Sequence, residues 1–155
     1  MNNITEYVIC LPTSLCLMLG NQISAYVGAD FDLIESITDR SIPLDHRRRI
    51  RKEIEKIVNY PYDLLINPPR TVLDYFATIT GGMQLFKLRP HCAGRNQYRL
   101  PLVSLQRCSF LILGFFTRKD ADFTKETCLA EERYKKILTG ESTYECLDFE
   151  EITRI

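Results

Sequence analysis

Hydrophobic residues follow a helical spacing in the first half of the chain. One set recurs at intervals of three and four residues and marks a single buried face: Ile50, Ile54, Ile57 and Val58. Asp45 stands where an N-cap residue is expected and Pro61 ends the pattern, so a helix is predicted between them. Its other face carries a run of arginines at residues 47–49, which fits a solvated face or a nucleic-acid contact.

Three further elements are predicted before this helix. Residues 7–11 form a short β-prone run and read as a strand. Thr13 or Ser14 can cap a helix that runs towards Gly28. A short helix is predicted around residues 31–37.

The spacing changes to the alternation of β-strands after residue 82. Three strands with short connections predict an antiparallel meander, at residues 85–89, 97–103 and 110–116. Lys87 and Arg89 fall on the same face of the first strand, which is expected to be exposed. Pro101 predicts that the second strand is an edge or carries a bulge. The third strand is almost continuously apolar, as in a strand covered on both faces.

The chain ends with a helix and an acidic tail. Asp122 or Thr124 is the predicted N-cap of the helix, and Gly140 stops it. The tail, residues 141–155, contains enough apolar residues to pack locally or against a partner. The predicted fold is therefore one α+β domain over residues 1–140, with an antiparallel sheet, N-terminal helices, a C-terminal helix and an acidic extension.

Composition agrees with a single soluble domain, because 45% of the 155 residues are hydrophobic and 26% are charged. The formal net charge is zero, from 20 basic and 20 acidic residues. Taken over the whole chain, this balance argues against a polyanionic partner.

The distribution of the charges changes that conclusion. Residues 1–119 hold 15 basic and 10 acidic residues, whereas residues 120–155 hold 5 and 10. Residues 75–119, the carboxylate-free segment, contain seven cations: Lys87, Arg89, Arg95, Arg99, Arg107, Arg118 and Lys119. Cations with interleaved aromatic residues and no carboxylate predict a phosphate-binding surface. The alternative is chance clustering on a solvated face.

The six cysteines show no C-x-x-C pair and no zinc-finger spacing, so no metal site and no cofactor is predicted. Cys10, Cys108 and Cys128 lie in apolar patterns that suit free core thiols, which favours a reducing, cytoplasmic compartment. The apolar run at residues 8–19 lacks the basic start of a signal peptide, and no stretch is long enough to span a membrane.

The order of these elements resembles the RelE/ParE superfamily of bacterial toxins, in particular its HigB-like or phage-derived branch. The resemblance is best over residues 81–138. The segments that carry it are Tyr7-Val-Ile-Cys-Leu-Pro12, Leu85-Phe-Lys-Leu-Arg-Pro90, Tyr98-Arg-Leu100, Leu113-Gly-Phe-Phe-Thr-Arg-Lys119 and Glu132-Arg-Tyr-Lys-Lys-Ile-Leu138.

The resemblance implies the toxin of a type II toxin-antitoxin system. Such a protein is a ribosome-dependent mRNA endoribonuclease that works without a metal and is neutralised by a cognate antitoxin. The implied partners are that antitoxin and mRNA on the ribosome, with no membrane. The RNA 2′-hydroxyl would attack the adjacent phosphate, which requires a base, an acid and cations around the phosphorus.

The resemblance also places the basic active-site residues, at Lys87, Arg89, Arg99, Arg118 and Lys119. Arg99 and Arg118 are assigned to phosphate stabilisation, and Lys87 or Arg89 to positioning. Further RNA contacts are expected from Arg95, Arg107 and His91. The acid and base are not identified, although Asp120 and Asp122 are candidates that also suit a helix cap.

Three other functions remain open. The first is a ParE-like toxin that binds DNA gyrase and cleaves nothing. The second is a non-catalytic RNA-binding module. The third is an interaction domain in which the acidic tail pairs with the basic sheet, so that the tail mimics a polyanion and covers that face.

Overall fold

The computed structural model describes residues 20–66, 73–92, 95–96, 98–117 and 122–155. The predicted strand at residues 7–11 lies outside them. The first half contains strand β1 (Gln22–Val27) and helices α1 (Leu33–Ile37), α2 (Leu44–Asn59) and α3 (Tyr62–Ile66). Strands follow as β2 (Asp74–Ile79), β3 (Met83–Leu88), β4 (His91–Cys92), β5 (Arg95–Asn96), β6 (Tyr98–Gln106), β7 (Ser109–Ile112) and β8 (Phe116–Thr117). The last elements are α4 (Phe123–Leu138), β9 (Thr143–Cys146) and α5 (Phe149–Thr153).

The main sheet has the strand order β2-β3-β6-β7-β1-β9, and β8 pairs with the start of β6. Strands β3, β6 and β7 form the predicted antiparallel meander, in which Leu102 faces Phe86 on one side and Ile112 on the other. Strand β1 runs parallel to β7, with Ile23 beside Phe110. The fold is α+β as predicted, but its sheet is mixed rather than wholly antiparallel.

The prediction of a helix up to Gly28 is wrong for residues 22–27, which form β1. Ile23 and Val27 are four residues apart and therefore fit a helix as well as a strand. The ladder partners decide between them, because β1 lies between β7 and β9 and bonds to both. All four central residues of the strand are buried, so both of its faces are covered. Tertiary pairing overrides the local preference here.

The two long helices cover opposite faces of the sheet. Tyr98 and Arg99 are successive residues of β6, so their side chains point to opposite faces. Tyr98 contacts His46 of α2, whereas Arg99 contacts Glu126 of α4. The molecule thus has three layers, with a helix on each side of the sheet. This explains why every residue of β7 is buried, as its apolar sequence predicted.

The two helices largely match the sequence pattern. In α2, the predicted residues Ile50, Ile54 and Ile57 are fully buried. Its N-cap residue is Pro43 rather than Asp45, which lies in the first turn. Helix α4 is capped by Asp122, whose carboxylate accepts a hydrogen bond from the backbone of Lys125.

Pro101 lies in an internal strand, so the prediction that it marks a sheet edge is wrong. Strand β6 is paired on both sides, with β3 on one side and with β7 and β8 on the other. Residues 113–115 leave the ladder between β7 and β8, and Pro101 lies beside this break. Its carbonyl still accepts a hydrogen bond from the Leu113 amide at 2.8 Å. The ladder has a register shift, but it lies between Ser104 and Gln106.

The acidic tail packs on the molecule, as expected, but on the edge furthest from β3. Strand β9 pairs antiparallel with β1, with Tyr144 opposite Tyr26. Helix α5 follows, and Asp148 and Glu151 form a capping box at its start. Because β6, β7 and β1 separate β9 from β3, β9 does not cover the face that carries Lys87.

The cysteines differ from the expectation of free core thiols. Cys108 is buried in the turn between β6 and β7 with a φ of 65°, and it is disulfide-bonded. Cys128 is free and exposed, and Cys10 lies outside the described residues. The cytoplasmic assignment loses this support and remains a prediction. Within the part of the chain that the structure describes, no helix combines the length and apolar character needed to cross a membrane.

Candidate functional site

The face of β3 that was predicted to expose cations is covered by α4. The Lys87 side chain is 0% exposed and the Arg99 side chain 8%. The strand register places Lys87 and Arg99 on the same face, because Lys87 is opposite Pro101 and Arg99 lies two residues before Pro101 in β6. The predicted exposure of that face is wrong, since the first turn of α4 lies against it.

Both cations bind one carboxylate, that of Glu126 in α4. Lys87 Nζ donates to Glu126 Oε1 at 2.9 Å. Arg99 Nε lies 2.8 Å from Glu126 Oε2, and Arg99 Nη2 donates to the same oxygen. Arg99 Nη2 also donates to the carbonyl of Thr117 at 3.1 Å, and Lys87 Nζ lies 3.5 Å from the centre of the Phe76 ring. We call Lys87, Arg99 and Glu126 the buried ion network.

The network favours the ionised form of Glu126 despite the burial of its carboxyl group. Burial by itself would raise the pKa of Glu126, but hydrogen bonds and charge from Arg99 and Lys87 outweigh it and lower that pKa. Burial lowers the pKa of Lys87 from its ordinary value, and the Glu126 carboxylate opposes this effect. A buried charge that has such partners links secondary elements, and it is not accessible to a phosphate.

The other predicted cations are dispersed. Arg89 Nε lies 3.4 Å from Asp74 Oδ2, without the alignment of a hydrogen bond, and its side chain is partly exposed. Arg107 forms a two-pronged ion pair with Asp63 at 3.0 Å, at the turn between β6 and β7. The guanidinium of Arg107, which was expected to bind RNA, is therefore engaged by the Asp63 carboxylate.

The structure does not describe the side chains of five predicted groups. The backbones of His91 and Arg95 lie in the β4–β5 hairpin, where His91 pairs with Asn96 and Cys92 with Arg95, but their side chains are not described. Arg118 and Lys119, like Asp120, lie outside the described residues. Of the two acid or base candidates, Asp122 serves as the helix cap.

A histidine and a tyrosine meet on the α2 side of the sheet. His46 Nδ1 lies 2.7 Å from the hydroxyl oxygen of Tyr98, and the two rings meet edge to face. Tyr98 also stacks on Phe115 with ring centres 5.6 Å apart. Tyr98 is buried, but His46 is only half-buried. The pair lies where β6 starts and α2 begins.

The surroundings of the pair favour the protonated forms of Tyr98 and of the nearby Cys92 thiol. Burial raises the pKa of Tyr98, and the nearby Cys92 and Asp45 raise it further. Burial also raises the pKa of the Cys92 thiol. The hydroxyl of a protonated tyrosine can either donate to Nδ1 of His46 or accept from it, and in the second case Nε2 carries a lone pair. No described residue is hydrogen-bonded to Nε2.

Sequence reasoning missed both Glu126 and the pair of His46 with Tyr98. Glu126 precedes Ala130 by four residues and Tyr134 by eight, so helical spacing places it on the buried face of α4. A carboxylate there signals a buried cationic partner. His46 and Tyr98 are 52 residues apart, and no local pattern joins them.

Among the described residues, no group of three or more His, Cys, Asp or Glu side chains could hold a metal ion. Comparison with known proteins gives no match to a family model, to a curated protein or to a solved structure.

Proposed function

We propose that the protein is the toxin of a type II toxin-antitoxin system that cleaves mRNA on the ribosome, with His46 as its base. The observation that carries the proposal is the contact of 2.7 Å between His46 Nδ1 and the Tyr98 hydroxyl. The element order after β1 also supports it. The choice of an mRNA-cleaving toxin rests on the resemblance of the sequence to the RelE/ParE superfamily.

The chemistry follows from the tautomer of His46. When Nδ1 carries the proton and donates it to Tyr98, Nε2 is free to accept the proton of an RNA 2′-hydroxyl. The 2′-oxygen then bonds to phosphorus, and the bond from phosphorus to the 5′-oxygen breaks. Water supplies the proton for that oxygen. Tyr98 is thus a positioning residue, which holds the imidazole ring through Nδ1.

Expression in cells tests this function, followed by mapping of new 5′ ends on translated messages. His46→Ala should abolish the new ends, because the base is lost. Tyr98→Phe should reduce them about 5- to 30-fold, since loss of an orienting hydrogen bond of roughly 1 to 2 kcal/mol lowers the rate by such a factor. Tyr144→Phe is a matched control, because Tyr144 is also buried but lies in β9.

Two results would contradict the proposal. The first is a set of new ends that His46→Ala leaves unchanged. The second is harmless expression of the unaltered chain at a level at which it is folded.

A second candidate function is a ParE-like toxin that binds DNA gyrase without cleaving nucleic acid. The burial of Lys87 and Arg99 favours it, because neither cation is available to stabilise a phosphate in this conformation. Growth arrest with DNA damage and no new mRNA ends would support this function over the ribonuclease.

A further inference from the structure

Helix α2 carries a row of cations on its outer face. Arg48 and Lys52 are four residues apart, so they lie one above the other on the helix surface, about 6 Å apart along its axis. Both are exposed. Arg49 lies beside them, with 48% of its side chain exposed. We call Arg48, Arg49 and Lys52 the α2 ridge.

The cations of the ridge are weakly compensated. Arg49 Nε lies 3.8 Å from Glu53 Oε2, and Lys56 shares the same carboxylate at 3.3 Å. Within the described residues, Arg48 and Lys52 form no ion pair or hydrogen bond. Two positive charges are therefore open to an external anion, which distinguishes this surface from the buried ion network.

Other arginines of α2 are used inside the molecule. Arg47 Nη2 donates to the carbonyl of Arg154, and Arg51 Nη1 to the carbonyl of Thr153, each at 3.4 Å. These bonds fix the C-terminal end of α5 beside α2. They also show that the arginine run has two roles, because one side of the helix holds the tail while the outer side remains open.

The ridge starts beside the proposed base. Arg49 follows His46 by three residues, so their side chains are neighbours on the same side of the helix. On a strand whose 2′-hydroxyl reaches His46, Arg49 is the ridge cation one helical turn away, and Lys52 lies further along the helix. Asp45 and Glu55 are the nearest acids of α2 besides Glu53, at the first turn and near the far end.

We propose that the α2 ridge binds the phosphate backbone of single-stranded RNA and leads it to His46. This inference rests on the proposed function for its choice of RNA. Exposed, uncompensated cations favour a polyanion, and the position next to His46 favours a strand that also enters that site. The ridge contributes affinity without reading the base sequence.

Binding of a short, labelled single-stranded RNA to the full chain tests the ridge, in the His46→Ala background so that no cleavage occurs. Log affinity falls as log salt concentration rises. In the triple variant Arg48→Ala, Arg49→Ala, Lys52→Ala this fall should be less steep by about 2, since each phosphate contact contributes about 0.7. Its affinity at low salt should fall at least about tenfold. Thermal unfolding of each variant checks that the fold is kept.

The matched control removes three cations from α4 instead, with Lys125→Ala, Lys135→Ala and Lys136→Ala. It makes the same change in net charge, and should leave the salt slope within about 0.5 of that of the parent. An equal loss in the control would overturn the ridge, because charge alone would then explain the effect. So would an absence of RNA binding at low salt, or binding to anionic lipid vesicles in place of RNA.

Failure of this inference can be told apart from failure of the proposed function. If the ridge binds RNA but cells show no His46-dependent ends, the nuclease assignment fails and the ridge stands. If His46-dependent ends appear undiminished in the triple variant and its RNA affinity is unchanged, the ridge alone is refuted.

Discussion

Cations lie on both sides of the sheet, but in opposite environments. On the α4 side, Lys87 and Arg99 are buried and share the carboxylate of Glu126. On the α2 side, Arg48 and Lys52 are exposed and have no ionic partner among the described residues. The same residue types thus serve as internal ties on one side and as an open positive surface on the other.

The difference shows that a cation's role depends on what covers it. Arg99 connects three elements, because it lies in β6, binds Glu126 of α4 and donates to the Thr117 carbonyl of β8. Arg48 makes no such connection within the part of the chain that the structure describes. A cluster of basic residues in a sequence therefore predicts phosphate binding only for those members that no internal carboxylate reaches.

Removal of the shared carboxylate is the substitution with the largest expected effect on stability. Glu126→Ala leaves Lys87 and Arg99 buried without their partner, and such a loss costs about 3 to 5 kcal/mol. We expect a fall of that size in the free energy of unfolding, measured by urea denaturation. Because the side chain of Glu126 is only 1% exposed, its removal does not bring Lys87 and Arg99 into contact with bulk water.

Asp63→Ala is the control for this prediction. It breaks the ion pair with Arg107, in which both side chains are more than a third exposed, and such surface pairs contribute about 0 to 1 kcal/mol. If Glu126→Ala costs no more than Asp63→Ala, the network is not buried and the contrast between the two sides of the sheet is wrong.

The dependence of stability on acid also distinguishes the α4 side of the sheet from the α2 side. The pKa of Glu126 lies below its ordinary value of 4.5 in the folded protein. The folded state therefore stabilises the ionised carboxylate relative to the unfolded chain. Its contribution is present in full above pH 4.5 and is lost as the pH falls through the folded-state pKa. The lowered pKa of Lys87 acts at the alkaline end, where stability rises with pH towards 10.5.

Urea midpoints of the parent chain and of Glu126→Gln, measured from about pH 7 down to about pH 3, test this dependence. The difference between the two proteins should stay constant near neutrality and narrow below pH 4.5. Arg48→Gln is the comparison on the other side of the sheet and should give no such narrowing. A constant difference for Glu126→Gln over the whole range would contradict a depressed pKa.

Much of the fold follows from the spacing of apolar residues. The buried face of α2, the meander of β3, β6 and β7, and the cap of α4 at Asp122 are all local patterns. Strand β1 is not, because Ile23 and Val27 fit either period, and its state is set by pairing with β7 and β9. The internal position of Pro101 likewise depends on how β7 and β8 are arranged beside it.

The candidate site is less accessible to sequence reasoning. Alternation predicts the face of β3 on which Lys87 lies, but it gives neither the register that brings Arg99 to that face nor the helix that covers it. The position of Glu126 on the buried side of α4 carries that information, since a carboxylate at such a position needs a cation. The contact of His46 with Tyr98 depends on α2 packing across the start of β6, which no short segment encodes.

The smallest expected change separates the two groups of cations most directly. The double variant Arg48→Ala and Lys52→Ala removes as many positive charges as the buried ion network contains. Because both side chains are exposed and unpaired among the described residues, its free energy of unfolding should stay within about 0.5 kcal/mol of the parent. The corresponding variant of the network, Lys87→Ala with Arg99→Ala, leaves Glu126 buried without these partners and should lose several kcal/mol, by about the same argument as Glu126→Ala. Equal losses in urea denaturation would mean that the ridge also ties the structure together, and its cations would then be unavailable to RNA.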